Sequence, residues 1–98
     1  MYDISKEAML ELLAEESAEL TQAALKLSRI IRKENPTPVR EDEAVRNLIE
    51  EMSDVLYIID CVINEGHVLK DPDTVYRKIN AVKIFKQERW KQRTSNKK

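Results

Sequence analysis

The chain has 98 residues, a net charge of −1 and 36% charged residues. A length of this order holds one domain with a small core. The mixed surface argues against bulk nucleic-acid binding, which needs a strong basic excess, and only Lys83 to Lys98 is locally rich in Lys and Arg.

Ser5 reads as the N-cap of a first helix running to about Lys33. Leu10, Leu13, Ser17, Leu20, Ala24, Leu27 and Ile31 recur at helical spacing and give it one apolar stripe. Asn35-Pro36-Thr37-Pro38 is expected to end it, because proline cannot continue the hydrogen-bond ladder. The stretch through Asp42 reads as a polar connection. A second helix is predicted from about Glu43 to Glu65. Val45, Leu48, Ile49, Met52, Val55, Leu56, Ile59, Val62 and Ile63 form its main stripe, and Tyr57, Ile58 and Cys61 add apolar surface on other faces. A helix apolar all round is normally buried all round. One thin domain does not provide that cover, so an oligomer interface is expected. Gly66 is the predicted C-cap, and His67 reads as a turn residue.

Asp71 and Pro72 open a third helix, predicted to reach about Arg93. Val75, Ile79 and Val82 make its stripe, with Lys86 and Arg89 continuing that face and able to reach inward. The reading is one helical domain over residues 1–93 and a basic, frayed tail over 94–98. With one glycine and three prolines, the fold class is all-α, three to four helices per chain. A four-helix-bundle-like core completed by oligomerisation, as dimer or tetramer, is expected. The single Cys61 excludes an internal disulfide and a Cys-based metal site; it reads as packing. Tyr57, Tyr76, Phe85 and Trp90 read as core residues. No run of about 18 apolar residues offers a membrane span. The charged start, with Asp3, Lys6 and Glu7, does not resemble a signal peptide, so a reduced, cytoplasmic setting is expected.

Two acidic clusters interrupt the apolar helices: Glu15-Glu16-Ser17-Ala18-Glu19 and Glu50-Glu51-Met52-Ser53-Asp54. Carboxylates avoid buried surfaces unless something positive accompanies them. Positions three apart share a helix face, so Glu16 neighbours Glu19 and Glu51 neighbours Asp54. On a helical wheel these inner pairs border the apolar stripes, while Glu15 and Glu50 turn toward solvent. Antiparallel packing would bring four carboxylates together, an arrangement suited to Mg²⁺ and to chemistry on a phosphate-bearing substrate. Spacing alone favours the plainer alternative, solvated glutamates on a helix surface.

The paired pattern, Glu15-Glu16-x-x-Glu19 then Glu51-x-x-Asp54, resembles the signature of the MazG-like, all-α nucleoside triphosphate pyrophosphohydrolases. Leu12-Leu13-Ala14 before the first motif and Val55-Leu56-Tyr57 after the second agree with it, and the likeness covers roughly Leu10 to Arg93. The resemblance implies Mg²⁺, with Mn²⁺ as a substitute, held by Glu16, Glu19, Glu51 and Asp54. Glu15 matches the first motif position, with a role in binding or activating water. It also implies a nucleotide substrate cleaved to monophosphate and pyrophosphate in a house-cleaning role. The stretch between the motifs, with Pro36 and Pro38, is long for the family. Lys86-Gln87-Glu88-Arg89 resembles the Lys-x-x-Arg run of short, phage-type members. Lys83, Lys86 and Arg89, with Lys78 in support, are the candidates for substrate phosphates; a solvated basic tail is the plainer account. Two rivals stand beside this reading: phosphoribosyl-ATP pyrophosphatase, of the same superfamily, and a non-catalytic helical oligomerisation or regulatory module.

Overall fold

The computed structural model describes residues 4–34, 39–65 and 68–95. It is all-helical, with α1 over Lys6–Arg32, α2 over Glu41–Asn64 and α3 over Pro72–Ser95. The chain divides into two compact units, Met1–Val68 and Leu69–Lys98. The first contains α1 and α2, and the second contains α3.

Ser5 caps α1 as predicted. Its backbone is extended, and its hydroxyl accepts the Ala8 N–H at 3.0 Å, satisfying a donor that the helix start would otherwise leave unpaired. The C-terminus falls where predicted, at Lys33. Lys33 takes the left-handed conformation (φ 58°, ψ 33°) and closes the helix before any proline is reached. The Lys33 N–H bonds the Ile30 carbonyl at 3.2 Å, and the Glu34 N–H bonds the Arg29 carbonyl at 3.3 Å. Arg29 and Arg32 in the last turn favour the negative helix end. Pro36, Pro38, Gly66 and His67 lie outside the described residues, as do residues 96–98 of the predicted tail.

Helix α2 begins two residues earlier than its spacing predicted. Glu41, Asp42 and Glu43, read as connection and helix edge, form a first turn whose charge suits the positive helix end. Arg40, the N-cap, makes no side-chain cap; its guanidinium donates to Asp42 at 2.9 Å. In α3, Asp71 stands at φ 55°, a conformation Asp tolerates better than most residues. Its carboxylate accepts the Thr74 hydroxyl at 2.6 Å. α3 runs through Thr94 and Ser95, two residues past its predicted end, with the Thr94 hydroxyl donating to the Trp90 carbonyl at 2.8 Å.

The α1–α2 pair is an antiparallel hairpin. Met9, near the start of α1, packs with Ile58, Cys61 and Val62 near the end of α2, and Leu12, Leu13 and Val68 flank them. Further along, Ala23 shares a groove with Asn47. Both predicted stripes are met in part: Leu13, Ser17, Leu20 and Leu27 of α1 are half-buried, and Val62 and Ile63 of α2 are buried. On α1, Met9 and Ala23 are buried, while Leu10 and Ile31 of the expected stripe are exposed. On α2, Ala44, Ile58, Cys61, Val62 and Ile63 are buried, whereas Val45, Ile49, Met52 and Leu56 face solvent. The apolar arc of α2 is wider than one neighbour covers. Contact with α1 takes the edge that carries Ala44, Glu51 and Ile58, and the centre of the arc stays open.

No residue of α3 is buried. Val75 is half-buried, but Ile79 and Val82 are exposed, as are Ile84, Phe85 and Trp90. Its apolar side chains are scattered around the helix, so no single stripe forms. The core assignment of aromatics fails for Tyr57, Phe85 and Trp90, all at least half exposed. Arg93 lies over the Trp90 ring, 5.0 Å from its centroid. Among the described residues, no helix is long and apolar enough to cross a membrane.

Candidate metal and phosphate site

The hairpin register places the two acidic motifs at the same level, midway along the helices. Glu16, Glu51 and Asp54 each offer a carboxylate oxygen, and these three oxygens lie within 4.8 Å of one another. Glu19 adjoins them, and its charge acts on both Glu16 and Glu51. Glu16 and Glu51 are half-buried; Glu19 and Asp54 are exposed. The inner pairs singled out by helical spacing thus meet, while Glu15 and Glu50 point outward and are exposed.

The cluster is electrostatically uncomfortable by itself. Burial lifts the Glu16 carboxyl above the ordinary carboxylate value of 4.5, and the neighbouring Glu19, Asp54 and Glu51 add to it. Burial likewise raises Glu51, reinforced by Glu19, Asp54 and, last, Glu50. One oxygen of each residue, Glu16 Oε2 and Glu51 Oε2, is shut off from solvent with no hydrogen-bond partner among the described residues. Buried polar atoms are nearly always satisfied. Orphaned hard oxygens among like charges are the donor set that a small divalent cation satisfies. The residues present therefore fit Mg²⁺ or Mn²⁺.

This electrostatics has a testable sign. The folded chain holds extra protons on Glu16 and Glu51 from the ordinary carboxylate value up to their raised values, so stability contributed at low pH is lost as pH rises through that window. In metal-free protein, Glu51→Gln is expected to raise the thermal midpoint relative to wild type at neutral pH, with the gap closing on acidification. Added Mg²⁺ should stabilise wild type and leave Glu51→Gln nearly unmoved. Thermal melts across pH, with and without Mg²⁺, check both; a gap that widens on acidification contradicts the assignment.

Ser53, inside the second motif, is turned away from the cluster's chemistry, its hydroxyl donating to the Ile49 carbonyl at 2.8 Å. Cys61 is buried and free, and burial pushes its thiol up, which makes it an inert core residue. Lys78, Lys83, Lys86 and Arg89 are all exposed on α3. A surface hollow of about 1100 Å³ runs along α3 between Lys78 and Trp90. Only α3 residues line it, so it is the open flank of a single helix.

A smaller groove, about 350 Å³, adjoins the carboxylates and is lined by Glu19, Gln22, Ala23, Lys26, Asn47 and Glu51. Sequence reading overlooked Gln22, Lys26 and Asn47. A usable signal was present: Lys26 stands two turns after Glu19, and Asn47 stands one turn before Glu51, on the same helix faces.

Residues 1–83 match the family model described as phosphoribosyl-ATP pyrophosphohydrolase. No significant match was found among curated proteins or among solved structures.

Proposed function

The chain belongs to the phosphoribosyl-ATP pyrophosphohydrolase family, within the MazG-like all-α superfamily, and from this premise we propose a Mg²⁺-dependent enzyme that cleaves a nucleoside or deoxynucleoside triphosphate to the monophosphate and pyrophosphate. Pyrophosphohydrolysis of a nucleotide, a reaction on a phosphoric anhydride, follows from the family. The cation and the nucleotide's identity are our reading.

One observation carries it: the convergence of Glu16, Glu51 and Asp54 with Glu19 at their side, two of them with buried, unpartnered oxygens. These four residues would hold Mg²⁺, which when bound supplies charge neutralisation and a water of lowered pKa. The half-buried Glu16 and Glu51 anchor the site in the helix interface. Asp54 and Glu19, exposed at its rim, face the substrate's side. Glu15, at the first motif position, is exposed on the outer side of the cluster, and only the family resemblance associates it with the attacking water. Lys83, Lys86 and Arg89 are assigned to phosphate oxygens, on chemical grounds.

The family match favours a second reading of the substrate, phosphoribosyl-ATP. It ends at residue 83, so Lys86 and Arg89 lie beyond it; both substrates carry a triphosphate, so these cations suit either one. A pyrophosphate-release screen over the common NTPs, the dNTPs and phosphoribosyl-ATP decides. Turnover of phosphoribosyl-ATP alone would replace the first substrate with the second, and no release from any would refute both. In the same screen, Lys86→Ala should raise KM several-fold with kcat kept; an unchanged KM removes Lys86 from the phosphate assignment.

A further inference from the structure

The groove beside the carboxylates has a composition of its own. Two of its six lining residues, Glu19 and Glu51, belong to the acidic cluster, and the rest are Gln22, Ala23, Lys26 and Asn47. Lys26 is the one cation among them. It is half-buried, which is uncommon for lysine and keeps its four-carbon stem against the helix pair while the ammonium reaches outward. Among the described residues, Gln22, Lys26 and Asn47 make no side-chain hydrogen bond or ion pair with one another or with neighbours. The groove therefore presents an uncommitted ammonium and two uncommitted amides beside a dense negative cluster. No aromatic residue lines it, so it offers a nucleobase nothing to stack on.

Helix geometry sets the reach. Lys26 follows Glu19 by seven residues, about 10 Å along the axis. Helical side chains lean toward the N-terminus, so the Lys26 stem leans back toward the level of Glu19. Asn47 approaches the same space from α2, one turn from Glu51. An anionic group held at the carboxylates, extending along the hairpin toward Lys26, would meet donors from both helices.

We propose that the Gln22–Lys26–Asn47 groove is the subsite for the pyrophosphate portion of the substrate, with the Lys26 ammonium and the Asn47 and Gln22 amide N–H groups donating to its phosphate oxygens. This deepens the proposed hydrolysis and rests on it. It gives the substrate a direction: the phosphates that leave lie toward the C-terminal half of α1, and the nucleoside lies away from Lys26. A charge-assisted contact of this kind is worth about tenfold or more in affinity.

The test is titration calorimetry on the full chain, first with Mg²⁺ alone, then with inorganic pyrophosphate in saturating Mg²⁺, and separately with AMP. Lys26→Gln should bind Mg²⁺ as wild type does, bind pyrophosphate about tenfold or more weakly, and bind AMP unchanged. Lys26→Arg should restore pyrophosphate binding. Asn47→Asp, which sets a carboxylate against the phosphates, should weaken pyrophosphate as well and keeps the proposal testable if Lys26→Gln folds poorly. Unchanged pyrophosphate affinity in both variants overturns the subsite, and so does a loss confined to AMP. A wild type that binds neither Mg²⁺ nor pyrophosphate overturns the hydrolase reading itself, a result distinguishable from failure of the subsite alone.

Discussion

Asp54→Ala is expected to lower pyrophosphate release by about a thousandfold or more while leaving the protein folded and, if anything, more stable. The two effects separate because Asp54 is exposed at the rim of the cluster. It contributes one of the three convergent oxygens, so the site loses a ligand. It packs nothing in the core. Alanine is the better helix former, and its arrival relieves repulsion against Glu16 and Glu51. The measurement pairs turnover with thermal melting. Loss of turnover together with loss of the Mg²⁺-induced rise in Tm supports the site. Full turnover in Asp54→Ala and in Glu19→Ala would sink the assignment.

The second large effect concerns assembly. Val45, Ile49, Met52 and Leu56 are exposed on α2 and stand at the alternating three- and four-residue spacing of a coiled-coil seam. Leu10 and Ile31 of α1 are exposed as well. By helical angle, this strip lies well round α2 from Glu51 and Asp54, leaving the carboxylates uncovered. Among the described residues the buried apolar set is small: seven side chains, of which two are alanines. We expect a second copy of the chain to cover the strip, giving the four-helix core that one hairpin cannot build. Burying each large apolar side chain is worth roughly 1.5–3 kcal/mol. Sedimentation equilibrium should therefore find a dimer or tetramer for wild type and a single chain of 11.5 kDa for the Ile49→Lys/Leu56→Lys pair. Both positions are solvent-facing within the protomer, so helicity should persist. A monomeric wild type would end this expectation.

Much of the local structure was legible in the residues. Ser5, followed by a long breaker-free run, announced the start of α1, and Asp71-Pro72 announced the start of α3. The start of α2 was misplaced, because Glu41 and Asp42 look like linker until the helix dipole is considered. For the site, i, i+3 spacing picked Glu16 with Glu19 and Glu51 with Asp54, because that relation is a property of one helix and needs no partner. Gln22, Lys26 and Asn47 carry no such local mark; they become a set only when two helices face each other.

Helicity, the starts of α1 and α3, and which acids share a face were readable from the residues alone. Those are short-range consequences of backbone hydrogen bonding, capping and a period of about 3.6 residues. Only the tertiary structure decided which edge of α2 is buried and which stays open. An apolar arc wider than one neighbour can satisfy its contacts in more than one rotation, and the packing of Met9 against Ile58, Cys61 and Val62 selects among them. That same rotation sets Glu16 and Glu51 in the interface, strands their inner oxygens, and leaves the groove at Lys26 open beside them.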